Sequence, residues 1–201
     1  MQQSRFSPFK RGVYGETFLH VALLFNQIEV AKLLVRKYPL LVNAIYKEST
    51  FKGQTPLHIA VIQGNIDMVK FLIAAKASVN GAHATGKFFN RHTGTVHFGD
   101  TPLHFAVSTN KLEIVKYLVK CGADLKAVDS FRFTVFHLAV TLELQEMYIL
   151  LEKAARRKHG RHAADALINL RNEDGLTAFQ TAAANGNHRL VNFLIEHSKI
   201  I

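Results

Sequence analysis

Five six-residue phrases decide the reading of this chain: GETFLH (Gly15–His20), GQTPLH (Gly53–His58), GDTPLH (Gly99–His104), RFTVFH (Arg132–His137) and GLTAFQ (Gly175–Gln180). Glycine permits the positive φ of a tight turn, threonine caps a helix with its hydroxyl, and proline is pre-set for a first helical turn. Each phrase therefore starts a helix. Behind it come apolar residues at helical spacing, such as Leu57, Ile59, Ala60 and Val61, or Leu103, Phe105, Ala106 and Val107. Ala60 and Ala106 are small enough to let neighbouring helices approach closely. A polar break (Gln63-Gly64-Asn65, Thr109-Asn110) then ends the first helix and opens a second, read in IDMVKFLIAA and LEIVKYLVKC. The unit is a helix pair with two apolar faces, which stays unburied unless copies stack into a solenoid with a concave and a convex side. The expected fold is all-α, about five helix-turn-helix repeats with long finger loops, in a single domain spanning 1–201.

The phrases start at 15, 53, 99, 132 and 175, so one interval is 33 residues and the others carry 5, 13 and 10 more. Phrase and period resemble the ankyrin family. The insertions form fingers. One runs from Lys37 to Gly53 and holds Tyr38, Tyr46 and Phe51; the other, from Ala77 to Asp100, holds Phe88, Phe89 and Phe98. Large aromatics on loops either pack on one another or anchor a partner. Tyr46, Phe51, Phe88, Phe89 and Phe98 are therefore the candidate partner-binding residues.

A narrower resemblance lies in TFKGQTPLHIAV, ATGKFFNRH, HFGDTPLHFAV, AVDSFRFTVFHLAV and, near the end, NLRNEDGLTAFQTAAANGN. In this order, from about Arg11 to about Glu196, these segments are similar to the cytosolic ankyrin domain of vanilloid-type transient receptor potential cation channels. Such channels are tetrameric and calcium-permeable, and their ankyrin domain has six repeats, of which the second to sixth are matched here. The resemblance implies a non-catalytic regulatory module that contributes to subunit assembly and binds partners, calmodulin among them. It also implies a place on the cytoplasmic side of a membrane, reached only through a parent channel. Some relatives bind a nucleotide triphosphate through two lysines of the first phrase, but those positions fall here on Glu16 and His20. Phe51, Lys52 and Gln54 match the remaining positions, which leaves Lys52 and Gln54 as candidate concave-face ligand residues. A free-standing ankyrin adaptor for an unrelated soluble protein is the alternative.

Composition narrows the function classes. The net charge of +10, from 25 Lys and Arg against 15 Asp and Glu, favours acidic or anionic partners. Its densest cluster is Lys153 to His162, where Arg156, Arg157, Lys158 and Arg161 are candidates for an anionic partner; a solvated helix end reads the same way. The basic residues are not interleaved with stacking aromatics as in single-strand binders, so nucleic acid is not expected. No run reaches the roughly 18 apolar residues of a membrane span and the start has no secretory signal, so a soluble, intracellular chain is expected.

Catalysis is not expected either. Cys121, the one cysteine, excludes an internal disulfide and sits at a helix C-terminus, which disfavours the thiolate a nucleophile needs. No GxxxxGK[ST], HExxH or GxSxG occurs. His20, His58, His104 and His137 invite a metal, but each lies one repeat from the next, far beyond the ~2 Å reach of a shared ion. Hydrogen bonding from repeat to repeat is the expectation for them, and neither a metal nor a cofactor is expected.

Overall fold

The computed structural model describes residues 7–47, 51–81, 88–89, 96–97 and 100–200, with backbone only at 88–89, 96–97 and 198–200. The phrases open five seven-residue helices: α1 (Phe18–Leu24), α3 (Pro56–Ile62), α5 (Pro102–Ser108), α7 (Val135–Thr141) and α10 (Ala178–Ala184). Each is followed by a partner: α2 (Ile28–Lys37), α4 (Ile66–Ala74), α6 (Leu112–Lys120), α8 (Gln145–His159) and α11 (His188–Ile200). A 3-10 turn (Pro39–Asn43) follows α2, and a short α9 (Arg161–Ile168) follows α8. Within the second finger, β1 (Phe88–Phe89) pairs antiparallel with β2 (Val96–His97), Phe88 opposite His97 and Phe89 opposite Val96. This ribbon is an addition to the expected all-α pattern.

A single turn geometry joins the helices of every pair. Asn26, Gly64, Asn110, Glu143 and Gly186 all have positive φ, from +53° to +73°. The next residue then donates its N–H to the carbonyl of Ala22, Ala60, Ala106, Ala139 or Ala182, at 2.7–3.1 Å. This six-residue closure satisfies carbonyls that a helix end leaves open. An alanine in each repeat thus both admits the neighbouring helix and receives the turn.

The first helices stack in the order α1, α3, α5, α7, α10, each against the next. Packed on both sides, Pro56–Val61, Pro102–Val107 and Val135–Val140 are buried throughout, whereas α4 and α6 each bury three residues on one face: Met68, Val69 and Leu72, or Ile114, Val115 and Leu118. At the start of the stack, α1 buries only Leu19, His20, Ala22 and Leu23, and Phe18, Leu24 and Phe25 are exposed, Phe25 to 72%. Side-chain amides tie the far ends of the repeats together. Asn43 donates to the Lys76 carbonyl and accepts from Ser78 N–H, while Asn80 does the same with Gly122 and Asp124.

Candidate functional site

The phrase histidines carry the connection between repeats. In the first repeat, His20 Nδ1 accepts the N–H of its own cap, Thr17, at 3.1 Å, which leaves the proton on Nε2 to be donated to the Gln54 carbonyl at 3.3 Å. The same pair of bonds runs from Thr55 through His58 to Asp100, from Thr101 through His104 to Phe133, and from Thr134 through His137 to Leu176. Every acceptor is the carbonyl just before the next repeat's cap threonine. An imidazole with one donor and one acceptor fits this bridge, and all four rings are buried. Burial, the dominant cause, pushes the His20 pKa down to about 4 against the opposing pull of its bond to Gln54; His137 is lowered for the same reason. The expected repeat-to-repeat role of these histidines is what the bonds show.

The first finger differs from its sequence reading at two positions. Tyr46, expected to face a partner, is only 3% exposed: its ring packs edge-on against His20, with centroids 4.5 Å apart. Its N–H donates to the Gln54 carbonyl, so the finger folds back over the first rung. Gln54, expected to face a ligand, is 4% exposed, locked into the turn before the cap. Both are removed from the candidate surface. Phe51 stays half-exposed with its ring 5.7 Å from that of Tyr46, and Lys52 is exposed. Beside the first phrase, Lys10, Arg11, Glu16, Thr17, Phe18 and Val21 surround a hollow of about 250 Å³ that Lys52 and Gln54 do not reach. Glu16 accepts the Tyr14 N–H there, and Arg11 is spent on the carbonyls of Gly15 and Ile45. Phe98 lies outside the described residues, and Phe88 and Phe89 are placed only as the strand of the ribbon.

The basic cluster is helical on both sides of Gly160, where a φ of +77° separates α8 from α9. Its four candidates divide. Arg156 is engaged within the fold: it bonds the buried carboxylate of Glu152 through Nε and Nη2 and reaches Asp165 through Nη2 at 3.1 Å, tying α8 to α9. The other oxygen of Glu152 meets His197 of α11 at 2.7 Å, so the cluster anchors the end of the stack. Arg157, Lys158 and Arg161 are exposed.

Arg157 and Lys158 help to form a cleft of about 610 Å³ between α6 and α8. Val119, Leu150 and Ala154 supply its apolar floor, and Lys116 and Lys120 stand opposite the α8 cations. Sequence reading missed the two lysines because they lie one repeat away from the basic cluster. Their signal was present: the i, i+4 spacing of Lys116 and Lys120 puts both on one face of the outer helix.

An ankyrin-repeat profile (three copies) matches residues 6–83 and 77–156. The chain is 38% identical over 195 residues to human transient receptor potential cation channel subfamily V member 6, covering 94% of this chain and 25% of that protein. It is 38% identical over 199 residues to human subfamily V member 5 (96% and 26%), and 35% identical over 174 residues to dog subfamily V member 1 (78% and 20%). The chain thus spans a fifth to about a quarter of the length of these curated relatives. Among the described residues, no helix is long and apolar enough to cross a membrane.

Proposed function

Because the chain belongs to the ankyrin-repeat family and is similar along nearly its whole length to subfamily V channels, we propose that it serves as the cytosolic regulatory module of a calcium-permeable cation channel. In that role it contributes contacts to subunit assembly and binds regulatory partners; calmodulin, an acidic protein, suits a chain carrying +10. The observation that carries the reading is coverage. A likeness confined to repeat phrases would skip the insertions, whereas this one takes in 94% of the chain, the fingers included. The binding elements are Phe51 at the first finger and the Phe88–Phe89 strand of the second; Lys52 adds one exposed cation.

The experiment joins genetics to binding. Extending the reading frame past Ile201 should uncover membrane-spanning segments, and full-length subunits carrying Phe88→Ala with Phe89→Ala should associate about tenfold more weakly. The isolated chain with the same changes should keep its helical circular dichroism and melt within about 2 °C of the parent. A stop codon directly after Ile201 favours the free-standing adaptor instead. A large loss of stability would assign the two phenylalanines to packing.

A further inference from the structure

We propose that the cleft between α6 and α8 is a docking groove for an acidic amphipathic helical segment of a protein partner. The inference rests on the chain being an interaction module and holds whether or not the parent is a channel. Three properties of the cleft carry it. Its volume, about 610 Å³, accommodates several side chains, and Val119, Leu150 and Ala154 line it with apolar surface. Each wall carries its own pair of cations, Lys116 and Lys120 on α6 and Arg157 and Lys158 on α8, and no carboxylate is among the lining residues. Two of those cations are partly engaged: Lys116 pairs with Glu113 at 2.6 Å, and Lys158 donates to the Ala123 carbonyl at 3.2 Å. Among the described residues, Lys120 and Arg157 have no carboxylate partner.

The pattern of charge and floor selects the occupant. A helix laid between the two walls would bury an apolar stripe on the floor and present carboxylates along both flanks, the complement of what the cleft offers. A lipid headgroup or a free phosphate would engage one cluster of cations and leave the floor bare. Gly122 lines the cleft, and a side chain built on it would meet nothing within 4 Å, so that part of the wall is open to an incoming segment.

The test uses a fluorescent peptide of about 16 residues with leucine at helical spacing and glutamate on both flanks, titrated into the whole chain and followed by anisotropy. The expected result is saturable binding that weakens at least tenfold in Lys120→Glu with Arg157→Glu, and weakens with salt. The melting temperature of that variant should stay unchanged, because both side chains are exposed. Lys70→Glu with Arg189→Glu makes the same change in net charge outside the cleft, at two exposed positions, and should leave the affinity unaltered. The proposal is overturned if the two double variants lose affinity equally, or if a scrambled peptide of the same composition binds as well. It is overturned equally if the intact chain ignores the peptide while vesicles containing anionic phosphatidylserine bind it in a manner abolished by Lys120→Glu with Arg157→Glu.

Discussion

The first four repeats and the fifth use the same phrase to different ends. In the first four, the sixth position is a histidine that closes its own cap and bridges to the next repeat. In the fifth it is Gln180, whose side-chain oxygen accepts the Thr177 N–H at 3.0 Å and an N–H of Arg171 at 3.4 Å. Capping needs only an acceptor, which glutamine supplies. Bridging needs a donor on the far side of the ring as well, and within the described residues there is no sixth phrase beyond Gln180 to receive it. The burial follows: His20, His58, His104 and His137 are inaccessible, Gln180 is exposed. Within the described residues, the histidine thus marks each repeat on which another repeat is stacked.

The strongest way to break this comparison is to truncate one residue of each kind. His58→Ala removes the bridge from the Thr55 N–H to the Asp100 carbonyl and opens a cavity beside Phe105, whose ring centroid lies 5.0 Å from that of His58. The expected loss is about 4 kcal/mol, read by urea denaturation. Gln180→Ala removes an exposed side chain together with the cap bond it accepts from Thr177, and should cost no more than about 1 kcal/mol. Equal losses would mean that the bridge contributes nothing beyond the cap.

Acid offers a graded version of the same contrast. A protonated His20 would place a hydrogen on Nδ1, facing the Thr17 N–H that this nitrogen now accepts, so the fold holds the neutral ring. With its pKa lowered from 6.5 to about 4, the unfolded chain binds the proton more readily than the folded one between those values. Stability from this site is therefore complete above pH 6.5 and lost as pH falls, by about 1.4 kcal/mol per unit to about 3 kcal/mol near pH 4. His20→Gln installs the residue of the fifth phrase and removes the titration. Its melting temperature should depend less steeply on pH across that window, and an unchanged slope would show that other groups set the acid sensitivity.

These rungs were legible in the sequence because they recur: a threonine, a histidine three residues on, and a repeat of known period place the ring and its acceptor. Where recurrence stops, legibility stops with it. Tyr46 sits on an insertion, and nothing in its spacing says that the finger folds inward over His20 and closes on the Gln54 carbonyl. The helix α9 was read only as a 10-residue insertion, since RHAADALI interrupts the period instead of extending it. The cleft was hidden for a different reason: its walls come from two repeats, and only stacking brings Lys120 to Arg157.

The turn between paired helices extends the comparison to the backbone, where the fourth repeat is the exception. Asn and Gly hold the positive-φ position in the other four repeats, but Glu143 holds it here, at φ +58°. A side chain with a Cβ is disfavoured in that region by roughly 1–2 kcal/mol, and asparagine is relieved by its short polar side chain. Glu143→Gly should release that strain while adding about 0.5–1 kcal/mol of backbone entropy to be lost on folding. The net effect is the smallest expected here, a gain of about 0.5 kcal/mol, seen as a rise of about 1–2 °C in melting temperature. The bond from Leu144 N–H to the Ala139 carbonyl, 2.8 Å long, does not involve the glutamate side chain and should persist. A loss of stability would show instead that the glutamate side chain contributes more than its backbone costs, and that this turn is held by something the other four lack.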